Sequence, residues 1–115
     1  MNEDLIKRLE DALDACREVK LLTGERPLDE YEIERAVQLA TERLISIIGE
    51  ALSQAMKIEP GLEAIIPDVQ LIIGMRHRII HNYDGVDDAI VFDVARTDVS
   101  ELERHLSTIL EQTGH

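Results

Sequence analysis

The chain has 115 residues, 44% hydrophobic, with 12 basic and 24 acidic side chains and a formal charge of −12. That size suits one hydrophobic core, so residues 1–115 read as a single domain, and the apolar content excludes a disordered tail. No apolar run reaches the roughly 18 residues of a membrane span, Met1-Asn2-Glu3-Asp4 is acidic where a secretory leader is basic, and the lone Cys16 cannot close an internal disulfide, so a cytoplasmic protein with no membrane contact is expected.

Aromatic residues are 3% of the chain, and apolar positions recur at three and four rather than at two. Leu5, Leu9, Ala12, Cys16 and Val19 form one stripe, widened by Ile6 and Leu13, and the spacing predicts a first helix over 3–22 that stops at Thr23-Gly24. Pro27 breaks the chain and Asp29 can cap the next helix. Ile33, Val37, Ala40, Leu44, Ile47, Ile48, Ala51, Leu52 and Ala55 then hold helical phase to Lys57. That predicts a second helix about 43 Å long at ~1.5 Å per residue. Gly49 marks a close helix contact or a slight bend within it, and the small Ala51, Ser53 and Ala55 would likewise allow close approach.

Glu59-Pro60-Gly61 is a turn, and Leu62–Ile66 is one short helical turn. Pro67 and Asp68 open a third long helix with Val69, Ile72, Met75, Ile79 and Tyr83 near one stripe, and Gly85 is placed to end it as a C′ glycine. Asp87 and Asp88 start a segment through Ala89, Ile90, Phe92 and Val94. Thr97 or Asp98 caps a last helix carrying Val99, Leu102, Leu106, Ile109 and Leu110. The expected fold is an all-α up-and-down bundle of four to five helices.

The cations of the middle of the chain gather at Arg76-His77-Arg78, followed by His81. On a helix His77 and His81 share a face, with Asp84 three residues on, whereas Arg76 and His81 lie about 140° apart at ~100° per residue. The residues alone admit three readings. Cations and histidines suit a helix C-terminus by the dipole alone. His77-x3-His81 has the spacing of a zinc pair, with Asp84 as a third ligand, but Arg78 stands where H-E-x-x-H has its glutamate and would repel a cation. The third reading is phosphodiester chemistry, in which arginine stabilises phosphate charge and histidine moves protons near neutral pH. A pI near 4.6 weighs against a long nucleic-acid track bound by counterion release and leaves room for a small local site.

Arg76-His77-Arg78-Ile79-Ile80-His81-Asn82-Tyr83 resembles the R-x4-H-x-Y motif of HEPN-domain proteins, specifically the HepT-like toxin family. Leu44 to Ala51 resembles that family's I-I-G-E-A segment, Pro67 to Gly74 its P-x-x-x-I-x-G approach, and Tyr83-Asp84-Gly85-Val86-Asp87 its exit from the motif. The likeness spans essentially the whole chain. One departure is His77, where the family most often has Asn directly after the motif arginine.

The resemblance implies a homodimeric, metal-independent endoribonuclease without a cofactor, dimerising around the motif helix so that both subunits' motifs line one cleft. It implies His81 as the acid/base residue, Arg76 as the group that holds the scissile phosphate, and His77 and Tyr83 as supporting residues. It further implies a toxin–antitoxin pair, in which a minimal nucleotidyltransferase antitoxin silences the enzyme by transferring AMP to Tyr83. The alternative from another class is a non-catalytic HEPN module that binds nucleotide or partners a nucleotidyltransferase without cutting RNA. Elsewhere, Cys16 is expected in the core, Tyr31 packs near the start of the second helix, His105 and His115 stand without a constellation, and the acidic runs are solvated helix faces.

Overall fold

Asn2 starts the first helix: its side-chain oxygen accepts from the backbone N–H groups of Asp4 (2.7 Å) and Leu5 (3.1 Å), which a helix cannot satisfy internally. The computed structural model describes residues 1–82 and 85–114, with Tyr83, Asp84 and His115 outside them. Helix α1 runs Glu3–Thr23 and stops at Gly24, whose φ of +49° and N–H bond to the Lys20 carbonyl end it. Its expected stripe is buried throughout, with Leu9, Ala12, Cys16 and Val19 fully enclosed.

The second predicted helix divides in two. Helix α2 is the single turn Leu28–Tyr31, entered at Pro27 with no side-chain cap; Asp29 instead accepts from the adjacent Glu30 N–H. Helix α3 begins only at Arg35 and runs to Ile58. The break has a local cause. Tyr31 turns fully inward, its ring 4.7 Å from that of Phe92, and its carbonyl accepts from the Gln38 side chain (2.8 Å) and the Glu34 N–H (3.3 Å). That oxygen is no longer available to a continuous helix, and Ile33, placed on the predicted stripe, is 82% exposed. The buried face of early α3 is correspondingly rotated. Gln38, Thr41 and Ile45 point inward, with the Thr41 hydroxyl donating to the Val37 carbonyl, while Val37, Ala40 and Leu44 are only half-buried.

Helix α4 is the short turn Leu62–Ile65, and α5 runs Val69–His81 with Val69, Ile72, Met75 and Ile79 buried. It ends earlier than the glycine signal suggests. Asn82 is the C-terminal cap, bonded through its N–H to the Arg78 carbonyl, and Gly85 does not adopt the positive φ of a C′ glycine. Helix α6, Asp88–Arg96, is capped by Asp87, whose carboxylate accepts from the Ala89 and Ile90 N–H groups. Helix α7 runs Asp98–Gln112; Thr97 holds its cap position without a side-chain bond. No strand occurs among the described residues.

The architecture is an all-α bundle: α1 lies against α3 and α7, and α3 lies between α1 and α5. Ile45, Ile48 and Leu52 of α3, Ile72 of α5 and Leu102 and Leu106 of α7 close on the α1 stripe in one core. Each such side chain contributes about 1.5–3 kcal/mol relative to exposure. The bundle thereby fixes α5 across the middle of the longest helix, and the residues of the expected motif sit on α5.

Candidate functional site on helix α5

Gly49 sets the geometry of the site. A methyl group there would lie 2.7 Å from Arg76 Cβ and 2.9 Å from its Cδ, closer than packed carbons approach, so α5 rests directly on α3 at this point. The sequence signal of a close contact at Gly49 is thus realised, and its partner is the motif arginine. Arg76 lies over the glycine with its Nη2 3.0 Å from Glu50 Oε2 of α3. Its Nε is buried and has no partner among the described residues. The side chain as a whole is 32% exposed, so the guanidinium is held at its base and open at its tip.

That tip borders a cavity of about 390 Å³ between α1, α3 and α5, whose lining includes Arg8, Arg43, Ser46, Glu50, Arg76 and Ile80. Acidic Asp11, Asp14 and Glu18 of α1 line it as well, so the cavity is mixed in charge. His81 is exposed as the last residue of α5 and does not line this cavity. It pairs instead with His77, one turn earlier and also exposed; the ring centroids are 4.4 Å apart, with planes tilted by 45°. Within one chain, then, the fold brings His77 and His81 together and gives Arg76 to a different face. This is the angular separation expected of positions five apart on a helix.

The dipole and the metal readings meet the same geometry. Arg78 and His81 do occupy the last turn of α5, where cations complement the helix terminus. Asp84, the third ligand of the zinc reading, lies outside the described residues; among those described, no three His, Cys, Asp or Glu side chains are grouped to hold a metal. Tyr83 likewise lies outside them. Away from α5, Cys16 is enclosed in the core, with its thiol pushed up to about 12 by burial and then by the charge of Glu103. Tyr31 is fully buried, and burial raises its phenol further above the ordinary tyrosine range. His105 is half-buried on α7, and His115 lies outside the described residues.

Glu50 is the site residue that spacing along the chain does not disclose. It stands 26 positions before Arg76, on another helix, and nothing local to either residue announces the pair. Its traces in the sequence are the glycine beside it and its place in the I-I-G-E-A segment.

Comparison with known proteins supplies the family. The family model described as Ribonuclease HepT-like matches residues 12–109. The chain is 26% identical over 110 residues to a Methanocaldococcus jannaschii protein named "Putative RNase MJ1216", covering 94% of this chain and 88% of that one. It is 27% identical over 97 residues to "Probable ribonuclease HepT" of Thermococcus cleftensis, covering 83% and 86%. Over 70 residues it is 33% identical to "Putative RNase TTE0752" of Caldanaerobacter subterraneus subsp. tengcongensis, covering 61% and 62%. No solved structure matches the chain. With a match spanning most of its length, an all-α bundle, and the arginine and histidine of R-x4-H in place on α5, the chain belongs to the HepT-like ribonuclease family.

Proposed function

We propose that this protein is a metal-independent endoribonuclease and the toxin of a two-component system, acting on RNA as a homodimer built around α5. The observation that carries the reading is the pairing of an arginine held at its base with an exposed histidine on the same helix, in a chain of a ribonuclease family. In this reaction the RNA 2′-oxygen attacks the adjacent phosphorus, the bond to the 5′-oxygen breaks, and a 2′,3′-cyclic phosphate and a 5′-hydroxyl remain. A base must take the 2′-OH proton, an acid must protonate the leaving 5′-oxygen, and positive charge must meet the phosphorane. His81 serves the proton transfers and Arg76 the charge.

One chain presents Arg76 and His81 on different faces of α5 and offers a single His81. A two-fold axis beside the helix supplies a second histidine and a second arginine to one cleft, which gives dimerisation a chemical purpose. His77, in ring contact with His81, supports it. Regulation follows the family pattern: a minimal nucleotidyltransferase antitoxin transfers AMP to Tyr83, placing a phosphodiester and a nucleoside where the substrate phosphate must enter.

The charge of −12 favours a second reading, in which the chain is a non-catalytic partner of the nucleotidyltransferase that binds nucleotide without cutting RNA. Cleavage of a defined single-stranded RNA in excess EDTA separates the two, once intact mass has shown the chain to be free of AMP. We expect cyclic-phosphate ends from the native dimer and losses of at least ~100-fold in Arg76→Ala and His81→Ala. A folded, unmodified dimer that leaves the RNA whole would transfer the assignment to the non-catalytic module.

A further inference from the structure

We infer that Glu50 is a positioning residue: it orients the Arg76 guanidinium for phosphate rather than stabilising the fold. This rests on the nuclease reading above, in which Arg76 meets the scissile phosphate. Three features of the contact point to it. The Arg76 stem lies against the Gly49 backbone, where even a methyl group would be 2.7 Å from its Cβ, so the base of the side chain has one place to be. Its Nε faces inward, buried and unpartnered among the described residues, and is lost to a ligand. The tip is then fixed by one contact, Nη2 to Glu50 Oε2 at 3.0 Å. Among the described residues no ion pair or hydrogen bond takes Nη1, so the outer edge of the fork stays open to an anion.

Stability does not explain the pair. The Glu50 side chain is 49% exposed and that of Arg76 32% exposed, and ion pairs so open to water contribute little to folding. A long, flexible arginine does gain from being held, because ordering its fork before substrate arrives removes a cost from the chemical step. The carboxylate also acts against this by partly neutralising the charge that phosphate requires. Orientation outweighs neutralisation here.

Glu50→Ala tests this without threatening the helix, since the position is exposed and alanine is the best helix former. We expect kcat to fall about tenfold with KM changed by less than about twofold, and Glu50→Gln, which keeps an acceptor oxygen, to lie between. Glu10→Gln, which removes a carboxylate from an exposed position of α1 outside the cavity, should leave kcat within about twofold and so separates position from net charge. The guanidinium Nη–H resonances of Arg76 give a readout independent of cleavage. They should be resolved and slow to exchange in the native protein and collapse to a fast-exchanging signal in Glu50→Ala. A kcat that is unchanged or raised in Glu50→Ala overturns the inference, as do unaltered Arg76 resonances. A native chain that cuts no RNA sinks the nuclease reading instead, while the resonances still report whether Glu50 holds Arg76.

Discussion

Two ionisable side chains outside the site show what burial does to single residues. Cys16 is enclosed in the core on the buried face of α1, and its thiol is pushed up to about 12. At pH 8 about one molecule in ten thousand then carries the thiolate that reacts. Native protein should therefore resist a thiol-specific reagent such as Ellman's, and protein in denaturant should react fully; ready labelling of the folded chain would contradict this placement. Asp98 begins α7, where a helix dipole favours a carboxylate, yet its carboxyl is raised by burial and then by the charges of Asp68 and Asp93. A carboxyl raised on folding binds more protons in the native state, so its contribution is favourable at acid pH and declines as pH rises through the carboxylate range. Asp98→Asn should raise Tm at pH 7 and lose that advantage near pH 4. A gain that persists undiminished in acid would show that the charge is not the cause. Arg76 and His81 were legible at this scale because a motif carries them within six residues. Glu50 was not, because its role exists only across two helices.

At the scale of elements, glycines distinguish a packed contact from a bare surface. Gly49 and Gly74 both lie inside helices, but a methyl group on Gly49 meets Arg76 at 2.7 Å, whereas one on Gly74 meets nothing within 4 Å. For Gly49→Ala, pushing α5 off α3 costs about 1–3 kcal/mol, against a propensity gain of about 1 kcal/mol. The net is a loss of stability, and cleavage falls because Arg76 moves. Gly74→Ala takes the propensity gain alone and should stabilise by about 0.5–1 kcal/mol with no loss of cleavage. Urea denaturation read beside the RNA assay checks both, and equal stability changes in the two variants would refute the close crossing. The periodicity that located α1, α3 and α5 failed at the start of α3 for a related reason. Apolar spacing places Ile33 and Val37 inward, but the Tyr31–Phe92 contact and the Gln38 bond to the Tyr31 carbonyl take that space. Tertiary contacts of this kind leave no period in the sequence. Likewise, the end of α5 is set by Asn82 rather than by the glycine that looked like its stop.

On the nuclease reading, the whole molecule must bring RNA to a surface of the same sign. Seven of its twelve Lys and Arg side chains are already engaged: Lys7 with Asp11, Arg8 with Asp4, Arg17 and Lys20 with Glu103, Arg26 with Glu34, Arg104 with Glu101, and Arg76 with Glu50. The five that make no ion pair among the described residues, Arg35, Arg43, Lys57, Arg78 and Arg96, are spread over α3, α5 and α6, so on that reading contact with phosphate is expected at a few charges around the Arg76 cavity. For single strands the affinity falls with salt by about 0.7 of a power per phosphate neutralised. Two arginines in a shared cleft then predict a loss of about sevenfold between 50 and 200 mM salt. Salt also screens the repulsion between RNA and a chain of charge −12, which works in the opposite direction. The measured rise in KM over that range should therefore be smaller than about sevenfold, where a protein gripping six to ten phosphates on duplex DNA loses about a thousandfold or more. A steep dependence would mean that RNA follows a basic path these ion pairs do not leave open, formed on dimerisation or supplied by a partner. A shallow one fits a nuclease that recognises its substrate at one or two phosphates and is kept from others by its own charge.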